Sequence, residues 1–70
     1  MRQSNPTAPH GTFAEALLAI WASDITAKLA EGWKRPQQWR KGDNITIISP
    51  EGREAAWADF GGRLSAKLGW

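Results

Sequence analysis

The stretch from Thr12 to Gly32, TFAEALLAIWASDITAKLAEG, constrains the fold more than any other part of the chain. It has no proline, and its only glycine is the last residue. Leu18, Trp21, Ala22, Ile25 and Leu29 recur at steps of three and four, and Phe13, Ala14 and Leu17 extend the stripe. That spacing predicts an amphipathic helix over 13–31. Thr12 and Glu15 have the spacing of a capping box. Asp24 and Lys28 are an i,i+4 pair in the favoured order. Gly32 suits the position just past a helix end, where φ must be positive. The opposite face is Ala16, Ala19, Ser23, Ala27 and Ala30, small rather than charged, and so open to a close contact. A single helix cannot bury its own stripe, so the later residues must supply a cover.

NITIIS at 44–49 is β-branched and reads as a strand. A strand needs a partner for its backbone groups. KGD at 41–43 is turn chemistry, and PQQWR before it can run extended. A β-hairpin of 37–41 against 44–48 is therefore expected, with pairing across a homodimer as the fallback. Ser49-Pro50 then reads as an N-cap followed by proline in the first turn of a second helix over 50–68. In that reading Glu51 and Glu54 lie at its positive end, and Trp57, Phe60, Leu64 and Leu68 form its stripe. Asp59 pairs with Arg63, and Gly61-Gly62 sits inside the helix at a close packing point. The polar stretch 1–11, with Pro6, Pro9 and Gly11, is expected to be a flexible N-terminal tail ahead of one domain over 12–70. The predicted fold class is α+β: a single small domain, helix–β-hairpin–helix, with two antiparallel amphipathic helices.

Seventy residues leave room for only a small core, and there is no cysteine to cross-link it. Five tryptophans are the obvious source of buried area. The single histidine, His10, cannot build a zinc site without thiolates or further imidazoles. No activated nucleophile stands beside a base, and no glycine loop sits between a strand and a helix to cradle phosphate. The expectation is no enzyme, no cofactor and no metal. No apolar run approaches the roughly 20 residues of a membrane span, and no secretory leader is visible. The chain reads as cytoplasmic, with no membrane partner.

The net charge of +2 is unevenly placed. Lys34, Arg35, Arg40 and Lys41 lie within eight positions, while the remaining five cations and seven carboxylates give −2. WKRPQQWRK, residues 33–41, thus holds the entire positive surplus. Its candidate binding residues are Trp33, Lys34, Arg35, Gln37, Gln38, Trp39, Arg40 and Lys41. Tryptophan and arginine are the residues of protein interface hot spots. The same set suits nucleic acid: cations for phosphates, glutamines for base edges, Trp39 to stack. A protein partner is favoured, because four cations are few for nucleic acid and the predicted helices are not basic. For Trp39 the structural alternative is packing across the hairpin onto Ile45 or Ile47. For Trp33 it is an apolar contact just beyond the helix cap.

As a layout, helix–hairpin–helix in about 70 residues resembles the small head-to-tail joining proteins of lambda-like phages. KGDNITIISPEGREAAW falls where their second strand and second helix would begin. The resemblance lies in arrangement and carries no site residue. It implies a phage or mobile-element accessory protein, an inhibitor, adaptor or assembly factor that works by stoichiometric binding to a protein.

Overall fold

The computed structural model describes residues 12–70; the expected tail, 1–11, lies outside the described residues. Helix α1 runs Thr12–Ala30, strand β1 Ile45–Ile48, strand β2 Glu54–Trp57 and helix α2 Arg63–Leu68. The two strands form one antiparallel sheet, so the fold is α+β with a helix, a hairpin and a second helix in that order.

Helix α1 forms as its sequence dictates. Leu18 and Ile25 are buried, and Trp21, Ala22 and Leu29 pack against them. Lys28 Nζ donates to Asp24 Oδ1 at 2.7 Å. The helix ends in a Schellman motif: the Gly32 N–H reaches the Leu29 carbonyl and the Trp33 N–H reaches back to Lys28, both at 3.1 Å. Gly32 takes φ 104°, which a side chain would resist. Phe13 departs from the expected stripe and is 82% exposed. The Glu15 carboxylate turns to α2, and the expected capping contact with the Thr12 side chain lies outside what is described.

The hairpin differs from the expected one. The partner of Ile45–Ile48 is Glu54–Trp57, not 37–41, with Ile45 opposite Trp57 and Ile48 opposite Glu54. Ser49-Pro50-Glu51-Gly52 is therefore the hairpin turn rather than a helix start. The Gly52 N–H bonds the Ser49 carbonyl at 2.9 Å, and Gly52 takes φ 92°. This fits a three-residue loop: a type I turn followed by a left-handed residue. Ser49 does cap, but it caps the turn, its hydroxyl accepting from the Arg53 N–H at 2.9 Å. Proline at the first position of a helix and proline at the second position of a type I turn need the same φ, so the local chemistry is shared.

The second helix is correspondingly short, six residues instead of the expected 50–68. The chain turns left-handed ahead of it: Phe60, Gly61 and Gly62 take φ 53°, 64° and 100°. Gly61-Gly62 thus makes the bend before α2 and is not a close packing point inside a helix. The turn stacks Phe60 on Trp21, with centroids 5.6 Å apart and planes at 10°. From there α2 runs back along α1, and Arg63 and Lys67 both reach Glu15, at 2.6 and 3.3 Å. The helices are antiparallel. The core is Leu18 and Ile25 from α1, Ile45 and Ile47 from β1, and Leu64 from α2.

The expected Asp59–Arg63 pair does not form, because Arg63 serves Glu15. Asp59 is instead 1% exposed and accepts three hydrogen bonds. They come from the Gly42 N–H at 2.8 Å, the Ser65 N–H at 2.6 Å and the Ser65 hydroxyl at 3.1 Å. This one carboxylate ties the 40–43 turn to the start of α2. Among the described residues no helix is long and apolar enough to cross a membrane.

Candidate binding site

Residues 33–41 leave the end of α1 and cross to the open side of β1. Trp33 turns inward and is half-buried against the core. Lys28 Nζ lies 5.6 Å and the Arg53 guanidinium 5.9 Å from its ring centre. Its place just beyond Gly32 is the cap contact expected of it. Lys34 then exchanges two backbone bonds with Ile48, of 2.7 and 3.1 Å, and forms an isolated antiparallel bridge. The bridge does not extend into a strand. Pro36 has no N–H to continue the ladder, and the chain bends at Gln37 and Gln38.

Trp39 is half-buried against the cluster that contains Ile45 and Ile47. Its indole N–H donates to the Asp43 carbonyl at 2.9 Å. Its ring meets Trp70 edge-on at 5.6 Å and 83°. The Arg35 guanidinium covers Trp70 at 4.0 Å from the ring centre. Lys41 Nζ donates to the Trp70 backbone oxygen at 3.3 Å. The 40–43 turn closes through the Asp43 N–H on the Arg40 carbonyl at 2.9 Å, and Asp59 holds its Gly42 N–H. The segment is therefore fixed without being a regular strand.

The eight sequence-chosen residues divide into groups. Lys34, Arg35 and Gln37 line a groove of about 650 Å³ against Thr46, Ile48 and Pro50. Arg35, Trp39 and Lys41 converge on Trp70. Gln38 and Arg40 are exposed and belong to neither group, and Trp33 is turned into the core. Trp70 was not assigned to the site from sequence. The one pointer to it was that no helical stripe required it.

The electrostatics separate this segment from the rest of the protein. Among the described residues, every cation outside it reaches a carboxylate. Lys28 meets Asp24, Arg53 meets Glu51 at 3.9 Å, and Arg63 and Lys67 share Glu15. None of Lys34, Arg35, Arg40 and Lys41 does. Glu15 is held below the usual glutamate range, first by the hydrogen bond from Lys67 and then by that from Arg63. A second surface also stands open. Ala16, Ala19, Ser23, Ala27 and Ala30 of α1 are exposed, as expected, and Ile20 beside them is 64% exposed.

Comparison with known proteins adds no relative. No family model, no curated protein and no solved structure matches the chain. The phage resemblance therefore rests on layout alone, and the hairpin turn now stands where its second helix would begin.

Proposed function

We propose that the protein is a small non-enzymatic binding module that acts stoichiometrically on a protein partner through residues 33–41. One observation carries this reading. The fold brings its other described cations to carboxylates and leaves Lys34, Arg35, Arg40 and Lys41, on one fixed segment beside an open groove, without one; Arg35 and Lys41 rest on Trp70, and Lys34 and Arg40 have no side-chain partner among the described residues. Unpaired charge on an ordered framework favours orientation and rate of encounter with a complementary surface. The tryptophans weigh against nucleic acid as the partner. Trp39 is held by Asp43 and Trp70, and Trp33 is packed on the core, so neither ring is free to stack on a base.

The test has two arms. A photo-crosslinking residue at Gln38 should capture a protein partner that the same residue at Ala19 does not. A mobility shift with duplex and single-stranded DNA should show no salt-sensitive binding at micromolar protein. Salt-sensitive binding abolished by Arg35→Ala with Arg40→Ala would replace this reading with the nucleic-acid one.

A further inference from the structure

We infer that the groove between residues 34–37 and β1 takes a short extended peptide in which apolar residues alternate with carboxylates, its backbone pairing with Thr46. The inference rests on the protein-binding reading and names the partner's chemistry.

The backbone argument starts at Ile48. Its N–H and C=O both go to Lys34, so they point away from β2. The next residue, Ser49, donates instead toward β2, to the Arg53 carbonyl at 2.8 Å. Strand residues alternate in this way, so Thr46 points to the same side as Ile48. Continuing the antiparallel bridge by two residues sets Pro36 opposite Thr46, and proline has no N–H to give. Among the described residues Thr46 makes no backbone bond outside the hairpin. One N–H and one C=O of a partly exposed strand are thus left for another chain, the arrangement that extended peptides use when they add to a sheet edge.

The groove supplies the side-chain part. Its volume, about 650 Å³, lies within the range of sites that enclose small ligands. Pro36, Ile48 and Pro50 give it an apolar lining, and Lys34 and Arg35 stand on its wall without carboxylate partners. An extended peptide sends alternate side chains to opposite faces. The set on the Ile48 face also runs beside Lys34, which shares that face as the bridge partner of Ile48, and the alternate set meets Arg35. A phosphate backbone would use the cations but neither the apolar lining nor the Thr46 pair.

The experiment is an amide-resolved NMR titration of the ¹⁵N-labelled full chain. The probes are a short valine–glutamate alternating peptide, its lysine-for-glutamate counterpart, its backbone N-methylated form and a short single-stranded oligonucleotide. The first peptide should shift Lys34, Arg35, Gln37, Thr46 and Ile48. The lysine and N-methylated forms should bind about tenfold more weakly or worse, and Lys34→Glu should weaken the first peptide to a similar degree. Lys34→Glu keeps the backbone bonds to Ile48, and an unchanged unfolding curve verifies that it folds. Equal binding of the lysine peptide, or shifts confined to another surface, overturns the inference. Absent peptide shifts with the Gln38 crosslink intact overturn it while leaving the protein-binding reading in place. Oligonucleotide shifts on 33–41 without peptide shifts overturn both.

Discussion

Removing the Asp59 carboxylate should cost the protein most of its stability. Ser65 is fully buried, so in Asp59→Ala its N–H loses a 2.6 Å charge-assisted bond that no solvent replaces. Bonds to a charged group contribute about 1.5–3 kcal/mol, and a buried donor left unpaired costs about 1–3 kcal/mol. The Gly42 N–H loses its 2.8 Å bond too, but Gly42 is exposed and water can compensate, so about 1 kcal/mol is the expected share. The Ser65 hydroxyl keeps the Gly62 carbonyl at 3.1 Å and adds little. The expected total is about 3 kcal/mol, against roughly 3–5 kcal/mol that a core this small supplies.

Urea denaturation followed by tryptophan fluorescence measures this. With a slope near 1 kcal/mol per molar, the midpoint should fall by about 3 M. Asp59→Asn retains one acceptor for Ser65 and should lose about half as much. Asp43→Ala, at an exposed residue of the same region, should stay within about 0.5 kcal/mol. Hydrogen exchange at the Ser65 amide should accelerate in Asp59→Ala to the rate of global unfolding. A loss under about 1 kcal/mol would refute the account of Asp59 as the tie between the 40–43 turn and α2.

Three further outcomes follow from the geometry. Gly62→Ala should destabilise by about 1–2 kcal/mol, since φ is 100° and a Cβ would lie 2.8 Å from Lys41 Cγ; in a Lys41→Ala background the clash goes but the φ strain stays, so urea titration should still show about 1 kcal/mol. The folded pKa of Glu15 is lowered, so its contribution is complete above the ordinary glutamate value, about 4.3, and is lost as pH falls through the lower folded value. Glu15→Gln should remove that part of the acid sensitivity, and urea midpoints between neutral and acid pH that run parallel to the parent's would contradict it. Trp70→Ala removes an edge-on aromatic pair and a cation–π contact and should cost about 1–2 kcal/mol, with loss of near-UV circular dichroism.

The first half of the fold was legible because its signals were local and agreed with one another. The stripe, the Asp24–Lys28 pair and Gly32 all specify one helix. The second half was not, because Ser49-Pro50 serves a helix start and a hairpin turn equally well. What decides between them is the positive φ at Gly52, and glycine announces that only as a possibility. EAAW at 54–57 has little strand character of its own. It is a strand because Ile45–Ile48 needs a partner and the turn delivers one, a tertiary demand overriding propensity. Asp59 was misplaced by the same error: once 54–57 leaves the helix, its distance of four from Arg63 has no meaning. In the site, the four cations could be read from charge alone. Trp70 could not, since its contacts with Arg35 and Trp39 span more than thirty positions of sequence.

The segment that holds the positive surplus is ordered by groups other than most of its charges. Its anchors are the Lys34 backbone on Ile48, the Trp39 indole on Asp43, and the Gly42 amide on Asp59. Arg35 and Lys41 lean on Trp70, whereas the heads of Lys34 and Arg40 have no partner among the described residues. Holding and display are thus assigned to different atoms. Charge reversal at Lys34 or Arg40 should therefore change binding and leave the unfolding free energy from urea titration within about 0.5 kcal/mol of the parent's. Loss of Trp39 or Asp59 should lower both together. If Lys34→Glu or Arg40→Glu unfolds the protein as readily as Asp59→Ala does, the cations belong to the framework, and the patch loses its standing as a partner-facing surface.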